Sequence, residues 1–132
     1  MTPTKWFTLC LAASALLLSA CESKVSYTED VQPILFSACL SCHNKDSEGY
    51  LNSGFSLDSY EAVMKGTNFG AVVVPGSPES SSLYLVIAQK TAPEIHMPPH
   101  SDVALADGRG FPLSEDQVEV FRLWIEQGAL NN

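Results

Sequence analysis

The stretch Ala38-Cys39-Leu40-Ser41-Cys42-His43 constrains this chain more than any other. Cys39, Cys42 and His43 stand in the C-x-x-C-H spacing by which a c-type haem is attached, and the spacing has a geometric reason. On neighbouring turns of a short helix, the two thiols can add to the two vinyl groups along one haem edge. His43 then lies under the iron as proximal ligand, and the sixth ligand becomes the variable that sets potential and reactivity. A thioredoxin-like redox pair and half of a zinc site are the competing uses of such residues. The first calls for a βαβ surround and the second for a further ligand pair, and no second C-x-x-C exists in the sequence.

At 132 residues there is room for one ordinary domain, and part of the N-terminus must be subtracted first. Met1 to Lys5 carries one basic side chain and leads into Trp6 to Leu18, an apolar run too short to span a bilayer comfortably. It reads as the apolar core of a secretory signal. Leu18-Ser19-Ala20-Cys21 resembles the lipobox of bacterial lipoproteins, in which small residues precede a cysteine that is lipidated and becomes the mature N-terminus. A plain secretory signal cleaved nearby is the alternative. The expected partition is therefore a lipoprotein signal peptide over residues 1–20, a tether over 21–27 and a haem domain over 28–132. Fully extended, the tether from Glu22 to Tyr27 reaches roughly 20 Å at about 3.3 Å per residue.

The cysteines fit this scheme. Cys10 leaves with the signal, Cys21 takes lipid, and Cys39 and Cys42 take haem, so none of the 4 is left to form a structural disulfide. A mature chain of 112 residues, Cys21 to Asn132, is short of core, and a covalent haem supplies a large apolar body for helices to pack on. Loss of Lys5 with the signal takes the formal charge from −8 to −9. An acidic surface argues against nucleic acid and toward a redox partner with a basic docking surface.

Along the chain, Thr28 or Asp30 is placed to cap a first helix, and Pro33 is tolerated only near its first turn. Val31, Ile34, Leu35 and Ala38 recur at helical spacing and lead directly into Cys39. Residues 44–55 hold two glycines among polar residues and read as a loop. Asp58 can cap a short helix over 59–65 that stops at Gly66; Met64 on it is a conceivable iron ligand but fits core filling. Pro75-Gly76 marks a turn, after which Ser77 and Pro78 start a helix with Leu83, Tyr84, Ile87 and Ala88 inward. Pro98-Pro99 locks an extended path, so Met97 is offered from a rigid loop as the sixth iron ligand, with His96 and His100 as alternatives. After a polar connection over 101–112, Ser114 and Gln117 form a capping box and Leu113 with Val118 a hydrophobic staple. Val118, Phe121, Trp124 and Ile125 then face inward, and Gly128 ends the helix.

The order of parts resembles the small single-haem cytochrome c domains abundant in planctomycetes and related bacteria. The resemblance rests on Val31-Gln32-Pro33-Ile34-Leu35 before Cys39-Leu40-Ser41-Cys42-His43, on Val74-Pro75-Gly76-Ser77-Pro78 with Ser82-Leu83, on Met97-Pro98-Pro99, and on Trp124-Ile125-Glu126-Gln127-Gly128-Ala129. It implies an all-α, cytochrome c-like fold with crossing N- and C-terminal helices, one covalent haem c, and axial ligands mapping onto His43 and Met97. The expected protein is a single-electron carrier, lipid-anchored at Cys21 in the cell envelope and facing the periplasm. A haem enzyme or a gas or redox sensor with an open distal site is the rival, which a distal ligand held on the iron would exclude.

Overall fold

A computed structural model describes residues 23–100 and 110–132; the signal, Cys21 and most of the 101–112 connection lie outside these. Among the described residues there are five α-helices and no strand, only a lone antiparallel bridge between Thr67 and Gly70. The helices are α1 (Gln32–Ala38), α2 (Glu48–Ser53), α3 (Tyr60–Lys65), α4 (Ser82–Ile87) and α5 (Glu115–Glu126). The all-α class is thus the observed one.

A π-helical turn, Tyr27–Val31, feeds straight into α1. Its cap is Ser26, whose hydroxyl accepts from the Glu29 amide at 3.1 Å, rather than Thr28 or Asp30. The Asp30 carboxylate instead accepts from the Ser26 amide at 2.8 Å, so the two residues satisfy each other's end of the turn. Val31, Ile34 and Leu35 are buried as their spacing predicts, each contributing about 1.5–3 kcal/mol of apolar burial. The N- and C-terminal helical segments meet through this first turn, where Tyr27 packs on Trp124 of α5 with ring centroids 5.6 Å apart and edge-on to Tyr60 at 5.1 Å. Tyr60 and Trp124 donate to the carbonyls of Ala129 and Leu130. The Tyr27 hydroxyl is buried with no hydrogen-bond partner among the described residues, and burial, ahead of Glu61 and Tyr60, pushes its pKa up.

The segment entering this turn is sewn to the other end of the domain. Val25 donates to the Gln127 side chain (2.8 Å), Tyr27 to the Asn132 side chain (3.0 Å), and the Ser26 hydroxyl and Thr28 amide to the Asn132 carbonyl (2.8 and 3.1 Å). The chain therefore joins the helical body at Val25, inside the stretch expected to act as tether.

Two further elements depart from the sequence expectation. Residues 44–55 contain α2, which buries none of its side chains and ends on Gly54 at φ 71°, a left-handed cap that glycine adopts without a Cβ penalty. The α3 cap is Ser59, accepting from Ala62, while Asp58 accepts the Ser56 hydroxyl at 2.6 Å. Beyond Pro75-Gly76, the expected single helix is split into a 3-10 turn (Pro78–Ser80) and α4. Buried Ser81 makes the break: its hydroxyl donates to the Ser77 carbonyl at 2.9 Å and accepts from the Val74 amide at 2.8 Å. Leu83, Tyr84 and Ile87 are buried as expected, and Met64 packs beside the core. In α5 both halves of the Ser114/Gln117 capping box are formed, and Phe121, Trp124 and Ile125 are 0–1% exposed.

Candidate functional site

Helix α1 stops at Cys39 and hands the chain to a tight turn in which Cys42 and His43 donate back to the Cys39 carbonyl at 3.1 Å. That turn forms one wall of a cavity of about 470 Å³, within the ~300–1,000 Å³ usual for cofactor sites. Ala38, Cys39, Ser41, Cys42 and His43 line it from α1 and the turn, Glu48, Gly49, Asn52 and Ser53 from α2, and Met97, Pro98, Pro99 and Gly110 from the far side. All four residues picked out as haem-binding from the sequence thus border one space, although Met97 is remote from the others in the chain. Cys39, Cys42 and His43 do not converge on a point: among the described residues no group of three or more His, Cys, Asp or Glu side chains could hold a metal ion. Thiols spread along a wall suit anchorage of an extended ring better than chelation of a bare ion.

His43 is held at both ends. Its carbonyl accepts from the Leu57 amide at 2.9 Å, and its Nδ1 lies 3.2 Å from the Phe55 carbonyl, with the Phe55 ring edge-on at 5.5 Å. A carbonyl can only accept, so Nδ1 carries the proton and the Nε2 lone pair is left for a metal. Burial lowers the imidazole's pKa and so favours the neutral, ligating form, against the smaller opposing effect of the Phe55 hydrogen bond. The Cys39 thiol is pushed up to about 11 by burial, then by Cys42, and stays protonated at neutral pH.

On the opposite wall, the Met97 amide donates to the Val86 carbonyl at 3.2 Å, which ties the loop to α4, and the Met97–Pro98 peptide is cis. Pro98 is buried and Met97 half-buried against the core. His96 turns away, its Nε2 donating to the Thr91 carbonyl at 3.0 Å, and exposed His100 lies 3.5 Å from the Gln89 side chain. Neither borders the cavity. The two stand in H-x-x-x-H spacing, the second pair that a zinc site with Cys39 and Cys42 would call for, but Pro98 and Pro99 keep the segment from forming the helix that would align them.

The sequence reading passed over the α2 contributors. Ser47 reaches the carbonyl oxygens of Cys42 (2.5 Å) and Asn44 (2.7 Å), and Asn44 donates to the Leu40 carbonyl at 3.1 Å, so the turn from Cys39 to His43 and α2 form one hydrogen-bonded unit. The available signal was Gly49 itself, a residue that weakens a helix by about 1 kcal/mol relative to alanine unless close approach demands it.

Residues 39–101 match the family model described as Planctomycete cytochrome C. Comparison with curated proteins and with solved structures gave no match. The matched stretch opens on Cys39 and takes in His43 and Met97, which stand on opposed walls of the cavity. Soft sulfur and imidazole donors placed in this way fit a covalently held haem, and the match over residues 39–101 supports a planctomycete-type cytochrome c domain there, that of a haem-binding redox protein.

Proposed function

We propose that this protein is a membrane-tethered monohaem cytochrome c that carries single electrons on the outer face of a bacterial membrane. The observation that carries the reading is the meeting of Cys39, Cys42, His43 and Met97 on one cavity. In this reading Cys39 and Cys42 hold one haem c through thioethers, His43 is the proximal ligand and Met97 the distal one. The bound group would supply a reversible one-electron couple. The protein's part is to keep both axial positions filled, to raise the potential through the thioether, and to exclude water behind Pro98. Glu48 on the cavity wall suits a basic redox partner approaching there. Visible spectra of the ferrous protein with and without carbon monoxide test the assignment. A spectrum unchanged by the gas is expected; prompt formation of a carbonyl complex would instead make this an open-site haem protein.

Anchorage follows from Leu18-Ser19-Ala20-Cys21. Acyl chains on Cys21 would each contribute roughly 0.8 kcal/mol per buried methylene, enough in combination to hold the domain on the envelope membrane facing the periplasm. Cys21→Ser is expected to move the haem protein from the membrane to the soluble fraction. Wild-type protein that is soluble and free of lipid by mass would sink the idea.

A further inference from the structure

Gly49 lies inside α2 and faces the haem-attachment turn. A Cβ placed there would overlap the Cys42 carbonyl oxygen and come within 3.1 Å of both the Cys42 carbonyl carbon and Cε1 of His43. Backbone carbonyls do not yield as the tip of a flexible side chain does. The helix cannot back away at no cost either, since Ser47 at its start is bonded to the same Cys42 carbonyl. The imidazole is therefore bounded on two sides, at Nδ1 by the Phe55 carbonyl and at Cε1 by the space that only the absence of a Cβ on Gly49 leaves open.

We propose that Gly49 is a positioning residue for the proximal ligand: by presenting backbone in place of a side chain, it lets α2 close on His43 and fixes the rotation of the imidazole about its metal-binding axis. This rests on the reading of His43 as that ligand. Ring rotation matters because the filled π orbitals of an axial imidazole overlap a particular pair of iron d orbitals, and the angle decides how those are split. That splitting sets the anisotropy of the ferric spin signal and the way spin is spread over the haem edge. The neighbours of a metal-bound histidine ordinarily tune it in this manner.

The test uses the full haem-loaded protein. In the diamagnetic ferrous form, His43 Hε1 is expected at a strongly ring-current-shifted position with a nuclear Overhauser cross-peak to the Gly49 α-protons. An unshifted ring would remove the ligand assignment and the proposal with it, whereas a shifted ring without the cross-peak would remove the proposal alone. In the ferric form, Gly49→Ala is expected to shift the largest g value and reorder the haem methyl resonances. Leu51→Gly, which weakens the same helix at an exposed position, should leave both as in wild type. Equal shifts in the two variants, or none in Gly49→Ala, would overturn the proposal; if Gly49→Ala takes up no haem, the wild-type cross-peak decides.

Discussion

Met97→Ala is expected to abolish the weak sulfur-to-iron charge-transfer band, admit carbon monoxide to the iron, and lower the reduction potential by on the order of 100 mV or more, within the roughly 0.8 V that axial ligands command. The physical cause is the loss of a soft, weakly basic donor that favours the ferrous state, replaced by water or by nothing. The variant should still fold. Met97 sits on a loop tied to α4 through its own backbone amide, which the substitution leaves in place. His96→Ala and His100→Ala serve as controls, because His96 is occupied by the Thr91 carbonyl and His100 lies out in solvent. Both should leave a low-spin, six-coordinate haem. If the wild type lacks the band, and loss of either histidine converts the haem to high spin, the ligand assignment fails.

The second large effect is on folding. Cys39→Ala combined with Cys42→Ala is expected to leave little folded protein in exported material, read as loss of helical circular dichroism and of haem absorbance together. A cavity of about 470 Å³ lined by three separate parts of the chain loses apolar packing across its walls without the group that fills it. Helix α2 makes the dependence plain: six residues long with no buried side chain, it has little reason to persist unless its cavity face is covered. Dissection of the pair should also be informative. Either single variant retains one thioether and so should keep more haem than the double variant. A stable helical apo-protein would contradict this account.

Where apolar residues repeat along one face, the sequence was a sufficient guide. Val31, Ile34 and Leu35 in α1 and Phe121, Trp124 and Ile125 in α5 are buried because helical spacing and core burial are the same fact seen twice. The capping box of Ser114 and Gln117 was legible for a similar reason, since both partners lie within one turn. Helix α2 was not, because Leu51 and Asn52 are exposed and no periodic apolar signal exists when a helix lines a cavity through glycine and polar residues. Ser81 defeated the reading of one continuous helix by satisfying backbone groups at Val74 and Ser77, a non-helical option that serine offers and periodicity does not register. In the site itself, the thiols and His43 were fixed by local spacing. Met97 could be singled out by chemistry and the prolines after it, but that His96 and His100 turn elsewhere depends on Thr91 and Gln89.

The stitching of Val25, Ser26, Tyr27 and Thr28 to Gln127 and Asn132 has a mechanical consequence. Force applied to the chain upstream of Ser23, by thermal motion of an anchor or by drag on the domain, enters the fold where the segment is clamped to the far side of α5. It is resisted there by hydrogen bonds acting together, with the Tyr27 and Trp124 rings locked behind them. The load is therefore shared with the C-terminal end of the chain, just past α5, before it reaches α1 and the turn carrying Cys39, Cys42 and His43.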